Sequence, residues 1–409
     1  MDDQPDHRQR VTGRALAATL AGLLLLAGCA RERNFSQYPG FAAYFAAHPP
    51  AATVPSPEDQ ALLERFRPRF YKAAGEPAPE DFYADYVAHG RLYDGEGRPI
   101  ADRVTSEILN AHKDEPAAVF VHDSSHDNVR HPVAYGRIAR GRLEAPTGTP
   151  GGPRDLTFLT YNLVFPASGL PAGLPAWEDA LLRLVVDARN WHQLDHYTAV
   201  TVVLDERRVP FAATFQEHNT LRTWLVGPEL PLPDDNRLRV AIAKRSNELY
   251  PWSAQARLWR TIGIPDADGM AYLMAGKPRP WLAADDVTEP GAEVAYDLRF
   301  LPPADAFYMF QGFLGEKRRL PGRTGPPGAA YNTVPALKDP VLSMLAGFWR
   351  EDDAGDLERL AASWRGKRDP VAFATGQAAP FLAAWRCATE GGEACAVRPA
   401  VPGRPAATP

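Results

Sequence analysis

Apolar and polar positions alternate through the middle of the chain. Thr157, Leu159, Tyr161, Leu163 and Phe165 alternate with more polar neighbours. Val200, Val202 and Leu204 repeat the pattern, and Asp205-Glu206-Arg207-Arg208 follows as a turn. Phe211, Ala213 and Phe215 form the return, and Leu238, Val240 and Ile242 a further run. A period of two broken by turn residues predicts antiparallel strands, each with one buried face. Shorter strands are expected at 117–121 and 132–138. Hairpins in succession argue for a sandwich or a partly closed sheet.

On either side the period lengthens. Ser56-Pro57-Glu58-Asp59 opens a helix: Ser56 caps it, Pro57 fits its first turn and Asp59 suits its positive end. Leu62, Leu63 and Phe66 give its buried face, and Pro68 stops it. A second helix is expected over 102–112, burying Val104, Ile108 and Leu109. Near the C-terminus Val341, Leu345, Phe348 and Trp349 share one helical face, and Leu357, Leu360 and Trp364 another. The predicted class is mainly β with α additions: an antiparallel β-sandwich core, N-terminal helices and a C-terminal helical segment. The expected division is a signal peptide over 1–28, a tether over 29–55, a β-sandwich domain over 56–330, a helical segment over 331–396 and a disordered tail over 397–409. Proline, 40 of 409 residues, is about twice its usual share, which favours turns and edge strands.

The first residues change the expected compartment. Arg8, Arg10 and Arg14 precede an apolar run from Ala15 to Gly28, too short for a helix that spans a bilayer at about 20 residues. A basic start, a short apolar stretch and small residues at its end make a secretory signal. Leu26-Ala27-Gly28-Cys29 resembles the lipobox of bacterial lipoproteins. That resemblance implies cleavage before Cys29, diacylglycerol on its sulfur and anchoring of the chain in the cell envelope. Ala30, where aspartate would favour retention in the inner membrane, points to the outer membrane. Each buried methylene contributes about 0.8 kcal/mol, and two acyl chains meet the requirement for stable anchoring.

The chain has a formal net charge of −5. Without a long basic run it does not suit nucleic-acid binding, and residues 316–323 read as a local solvated basic turn. Cys387 and Cys395 are the remaining cysteines. In an oxidising periplasm their spacing reads as a disulfide, which at that loop length contributes about 2.5 kcal/mol.

The densest polar chemistry is Trp191-His192-Gln193-Leu194-Asp195-His196-Tyr197, directly before the Val200 strand. His218 follows the return strand. If Asp205–Arg208 is the turn, then His192, Asp195, His196 and His218 meet at one sheet edge. Imidazoles with a carboxylate suit a divalent metal, zinc or calcium, with Glu217 and Glu248 as further ligands or a base. A hydrogen-bonded polar rim is the other reading of the same residues. A second cluster, His122-Asp123-Ser124-Ser125-His126-Asp127 with His131, reads as a polar loop of turn formers. The sequence has no phosphate-binding glycine loop, Gly-x-Ser-x-Gly elbow or His-Glu-x-x-His helix.

Several segments taken in order resemble a sandwich family. Leu62-Leu63-Glu64-Arg65-Phe66-Arg67-Pro68-Arg69-Phe70-Tyr71 is similar to its opening helix, proline and aromatic strand. His192-x-x-Asp195 before Val200–Leu204, Phe215-Gln216-Glu217-His218, Arg239–Ala243 and Ser246-Asn247-Glu248-Leu249-Tyr250-Pro251 resemble later stretches. The family is the vacuolar-protein-sorting-type group of fungal and plant proteins, distantly related to the necrosis-inducing toxins. Tyr197 stands where the family has Glu, and Asn247 where it has His. The resemblance, over about 58–251, implies the sandwich fold and, through the toxins, recognition of sugar-bearing membrane lipids.

Beside a purely structural envelope or assembly protein, two functions are therefore expected. One is an envelope lipoprotein whose sandwich binds a glycan, lipid or protein partner. The other is a metal-dependent periplasmic hydrolase using the His/Asp site and a bound water.

Overall fold

The computed structural model describes residues 52–123, 131–143, 153–174, 176–183, 192–195, 198–217, 220–227, 229–263, 282–315 and 340–348. In chain order the first elements are β1 (Ala52–Thr53), α1 (Pro57–Arg65), β2 (Arg69–Lys72), two helical turns (Phe82–Tyr86 and Val87–His89), β3 (Gly90–Tyr93), β4 (Pro99–Ala101), α2 (Ser106–Ala111) and β5 (Val119–His122). The middle holds β6 (Val133–Leu143), β7 (Arg154–Leu163), β8 (Phe165–Ser168), α3 (Ala176–Arg183), β9 (His192–Asp195), β10 (Ala199–Leu204), β11 (Pro210–Glu217) and β12 (Thr220–Leu225). Then come β13 (Arg239–Ile242), β14 (Leu249–Pro251), β15 (Arg257–Gly263), β16 (Leu282–Thr288), β17 (Ala292–Glu293), β18 (Asp297–Arg299), α4 (Ala306–Met309), β19 (Phe313–Leu314) and α5 (Pro340–Ala346). Strand outweighs helix, as expected for a mainly β chain with helical additions.

Helix α1 starts where its sequence says it should. The Ser56 hydroxyl accepts from the Asp59 amide at 3.2 Å, and the Asp59 carboxylate accepts from the Ser56 amide at 3.2 Å. This reciprocal box satisfies two backbone donors that a helix start leaves open. Asp59 also receives Arg140 from β6 at 2.6 Å, which ties the helix to the central sheet. Leu62, Leu63 and Phe66 are buried, and the helix ends before Pro68.

The central sheet runs β1-β6-β7-β10-β11-β12, with β18 pairing in parallel to β6. The expected hairpin forms: Val200 faces Phe215, Thr201 faces Thr214 and Val202 faces Ala213. Its turn is made by Asp205, whose carboxylate accepts from the Arg207 and Val209 amides, each at 2.9 Å. Arg208 takes the left-handed conformation there, at φ 59°.

One face of this sheet forms a sandwich with a second sheet, β14-β13-β2-β17. Ile138, Leu159, Tyr161, Val200, Val202, Ala213 and Phe215 meet Phe70, Val240, Ile242 and Leu249 across that core. Each such large side chain contributes roughly 1.5–3 kcal/mol on burial. The sandwich is mixed, because β13 pairs with β2 in parallel.

The expectation that each strand has one buried face is corrected here. The opposite face of the central sheet is covered too. Val133 and Tyr135 pack under a third sheet, β19-β5-β3-β4, together with Phe82, Tyr86, Phe307 and Phe310. Ala139, Phe158, Val203 and Ala212 pack under Met344, Leu345 and Phe348, in and just after α5. The alternating polar positions Arg137, Thr160, Thr214 and Thr223 are therefore buried rather than solvated. The predicted second helix is shorter than expected, Ser106–Ala111, because Thr105 caps it; Val104 is buried just before it. Among the described residues no helix is long and apolar enough to cross a membrane.

Candidate functional site

The site grows out of a short ribbon and a strained turn. Strand β9 pairs with β8, setting Asp195 opposite Phe165 and His192 opposite Ser168. Leu194, fully buried between Gln193 and Asp195, has φ 55°. The reversal after β13 is a tight loop in which the Ala243 amide donates to the Glu248 carbonyl at 2.8 Å. Arg245 (φ 68°) and Asn247 (φ 61°) both adopt the left-handed conformation to make it. Three of the five non-glycine residues with positive φ among the described residues thus fall at this place. Such strain persists only where the surroundings over-determine it, and it gathers at functional sites.

Asn247 holds the two pieces together. Its amide nitrogen donates to the Ala167 carbonyl at 2.8 Å and to the Asp195 carboxylate at 3.3 Å. The Thr198 hydroxyl donates to the other Asp195 oxygen at 3.0 Å. Arg245 reaches outward, donating to Asp179 of α3 at 2.9 Å and to the Pro171 carbonyl at 3.1 Å. Its own amide donates to Glu76 at 2.9 Å.

Behind the turn lies a second carboxylate. Asp286 is fully buried and accepts from the Ser246 hydroxyl at 2.5 Å and the Tyr250 hydroxyl at 2.7 Å. Burial, and then the negative charges of Asp286, Glu217 and Glu248, push the Tyr250 phenol well above its ordinary pKa. The phenol is therefore a proton donor to Asp286 across the physiological range. Tyr250 stacks on Trp259 at 5.0 Å, and Trp224 meets Trp259 edge-on at 6.3 Å. Glu217 and Arg222, both without solvent exposure, lie 3.3 Å apart.

The structure thus brings Asp195 to the strained turn that carries Glu248, and puts Glu217 and Glu248 within electrostatic reach of Tyr250. His192 is placed by its backbone on β9, opposite Ser168. His196, His218, Cys29, Cys387 and Cys395 lie outside the described residues. Among the described residues, no group of three or more His, Cys, Asp and Glu is placed to hold a metal ion. From the second polar loop, His122 is buried and stacks on Tyr86 at 4.3 Å, with Nδ1 3.1 Å from the Tyr86 carbonyl, a packing role. Residues 124–127 of that loop are outside the described set.

Sequence reasoning did not anticipate Ser246, Arg222 or Asp286. Asp286 follows Ala283-Ala284-Asp285, with no motif around it. Ser246 and Asn247 lay in a stretch noted only for its family resemblance, which marked the place without its contacts.

No family model and no curated protein matches the chain. Among solved structures it is similar to NLPPya, a necrosis- and ethylene-inducing-like protein. The complex of NLPPya with glucosamine superposes with a TM-score of 0.28 at 13% identity, over 72% of this chain and 96% of that one. The complex with mannosamine gives the same TM-score and identity, 0.28 and 13%.

Proposed function

We propose that this protein is an envelope-anchored recognition module whose sandwich binds a glycan at the turn carrying Asn247 and Glu248. The observation that carries the reading is the gathering of four buried carboxylates, Asp195, Glu217, Glu248 and Asp286, around that strained turn and the Tyr250–Trp259 stack. Carboxylates only accept hydrogen bonds, so they select ligands that present donors. Sugar hydroxyls are donors, and the ammonium of an amino sugar adds a charge-assisted bond. Asp195 and Glu248, at 5% and 8% exposure, are the two that retain contact with solvent, whereas Glu217 and Asp286 have none. They are the pair assigned to the ligand, with Asp286 and Tyr250 as support behind them. Anchoring rests on the order of Arg14, the apolar run and Cys29 in the sequence.

The alternative, a metal-dependent hydrolase, draws on the same oxygen donors with the imidazoles of His192, His196 and His218. Titration with glucosamine, followed by tryptophan fluorescence, together with metal analysis of the purified protein, separates the two. Saturable binding at background metal content supports recognition. Stoichiometric metal whose removal abolishes a hydrolytic activity supports the alternative and overturns the proposal.

A further inference from the structure

One residue of the Asn247 turn is held from three other parts of the chain. Arg245 has φ 68° and stands two positions before Asn247 and three before Glu248. Its amide donates to the Glu76 carboxylate, beyond β2, at 2.9 Å. Its carbonyl accepts from the Gly169 amide, just after β8, at 2.7 Å. Its Nη1 donates to Asp179 of α3 at 2.9 Å, and its Nη2 to the Pro171 carbonyl at 3.1 Å. Asn247 holds the same stretch at the Ala167 carbonyl. The two left-handed residues thus flank Ser246 and fasten residues 167–171 to the turn.

Asparagine adopts the left-handed conformation with help from its own short side chain, whereas arginine has no such local reason. The conformation of Arg245 is therefore imposed by its contacts. A planar guanidinium suits that role, because its rigid fork reaches two acceptors at once. Inside the turn the Ala243 amide donates to the Glu248 carbonyl at 2.8 Å, the Ser246 amide to the Lys244 carbonyl at 2.8 Å and the Asn247 amide to the Ala243 carbonyl at 3.2 Å. These bonds close the loop around Arg245.

The ion pair also sets the local charge. The Arg245 and Asp179 side chains are 12% and 18% exposed, so salt screens them weakly. An uncompensated guanidinium in the turn that ends at Glu248 would oppose a cationic ligand. Asp179 neutralises it.

We propose that Arg245 is a positioning residue for glycan binding: its latch to Asp179 and Pro171 holds Asn247 and Glu248 in place, and Asp179 neutralises its charge so that the site favours a cationic sugar. The inference rests on the recognition reading of the same turn.

The test uses three variants of the full-length protein. Arg245→Gly keeps the left-handed backbone and removes the fork. Arg245→Lys keeps the charge without the fork's two-pronged hold. Asp179→Asn keeps the shape and removes the neutralising charge. Amide hydrogen exchange reads the turn without any ligand. The Ala243, Ser246 and Asn247 amides should exchange about tenfold or more faster in Arg245→Gly, and by a smaller factor in Arg245→Lys, while β10 and β11 keep their natural rates. Calorimetric titration reads the charge. Asp179→Asn should weaken glucosamine about tenfold and glucose at most about threefold. Arg245→Gly should weaken glucose about tenfold and glucosamine by less, since Asp179 then adds to the negative field. The two substitutions thus move the preference between the sugars in opposite directions, which a purely structural role would not do.

Unchanged exchange at the turn in Arg245→Gly overturns the positioning role, whether or not the protein binds sugar. A preference that is unchanged, or that shifts the same way in both variants, overturns the charge role. Absence of binding of both sugars to the natural protein refutes the recognition reading and the charge role with it, and exchange at the turn alone then decides the latch.

Discussion

The side-chain amide of Asn247 donates to the carboxylate of Asp195 at 3.3 Å, joining residues 52 positions apart. The same amide nitrogen donates to the Ala167 carbonyl at 2.8 Å. One side chain therefore fixes the β8–β9 ribbon against the turn after β13. Asn247 also has φ 61°, a conformation that asparagine and glycine adopt most readily. Asn247→Gly should keep the backbone, lose both hydrogen bonds and cost about 2 kcal/mol. Asn247→Ala should cost roughly 1 kcal/mol more, from the added backbone strain. Urea denaturation of the two variants measures the difference; equal stabilities would show that the left-handed backbone contributes nothing.

Asp59 gives the fold a defined acid sensitivity. Burial alone would raise its carboxyl, but hydrogen bonds from Arg140 and Ser56 outweigh it and hold the pKa below 3.8. A carboxyl depressed in the folded state stabilises above its unfolded pKa and loses that contribution as pH falls through the folded value. The advantage of the natural protein over Asp59→Asn should therefore be full at pH 6 and shrink steadily below about pH 4. At pH 6 we expect about 1 kcal/mol, the scale of a helix cap. Denaturation midpoints for both proteins from pH 6 to pH 2.5 check the sign and the window.

Gly291 allows the chain to enter β17 against β2. Its φ is 62°, and a Cβ there would sit 2.2 Å from the Lys72 carbonyl oxygen, a backbone atom with no room to retreat. Gly291→Ala should cost about 3 kcal/mol, from strain plus overpacking. Gly97 has φ 81° but nothing within 4 Å, so Gly97→Ala isolates the strain alone and should cost only about 1–2 kcal/mol. Thermal melts of the pair give the comparison.

Cys29 is predicted to carry the lipid anchor. Cys29→Ser should abolish acyl labelling and release the protein from membranes, as measured by metabolic labelling and flotation. A variant that still floats with membranes through its N-terminus would contradict the assignment.

Much of the sandwich was legible because its strands alternate strictly. Val200, Val202, Ala213 and Phe215 name the core face, and Asp205 names the turn. Helix α1 was legible because Ser56, Pro57 and Asp59 each act locally. The second face was not. Arg137 and Thr214 occupy polar alternations that look solvated, and only the helices and the third sheet folding over them reveal their burial. Helix α3 was missed as well. Its place near the site depends on Arg245 reaching Asp179 across 66 residues, a contact without a local signal. At the carboxylate site Asp195, Glu217 and Glu248 were legible as candidates through their place at strand ends. Asp286 was not, since its importance comes from Ser246 in the turn after β13 and from Tyr250 on β14.

The central claim is that carboxylates at the Asn247 turn select a donor-rich sugar. The most direct measurement is calorimetric titration of the natural protein, Asp195→Asn and Glu248→Gln with glucosamine and with glucose. Both substitutions preserve shape and remove one negative charge each. The account predicts saturable binding of glucosamine, tighter than glucose, with each variant losing about tenfold or more and the preference for the amino sugar shrinking. That loss corresponds to about 1.4 kcal/mol or more per charge-assisted bond. Glucosamine binding that is unchanged in both variants, or absent from the natural protein, would contradict it.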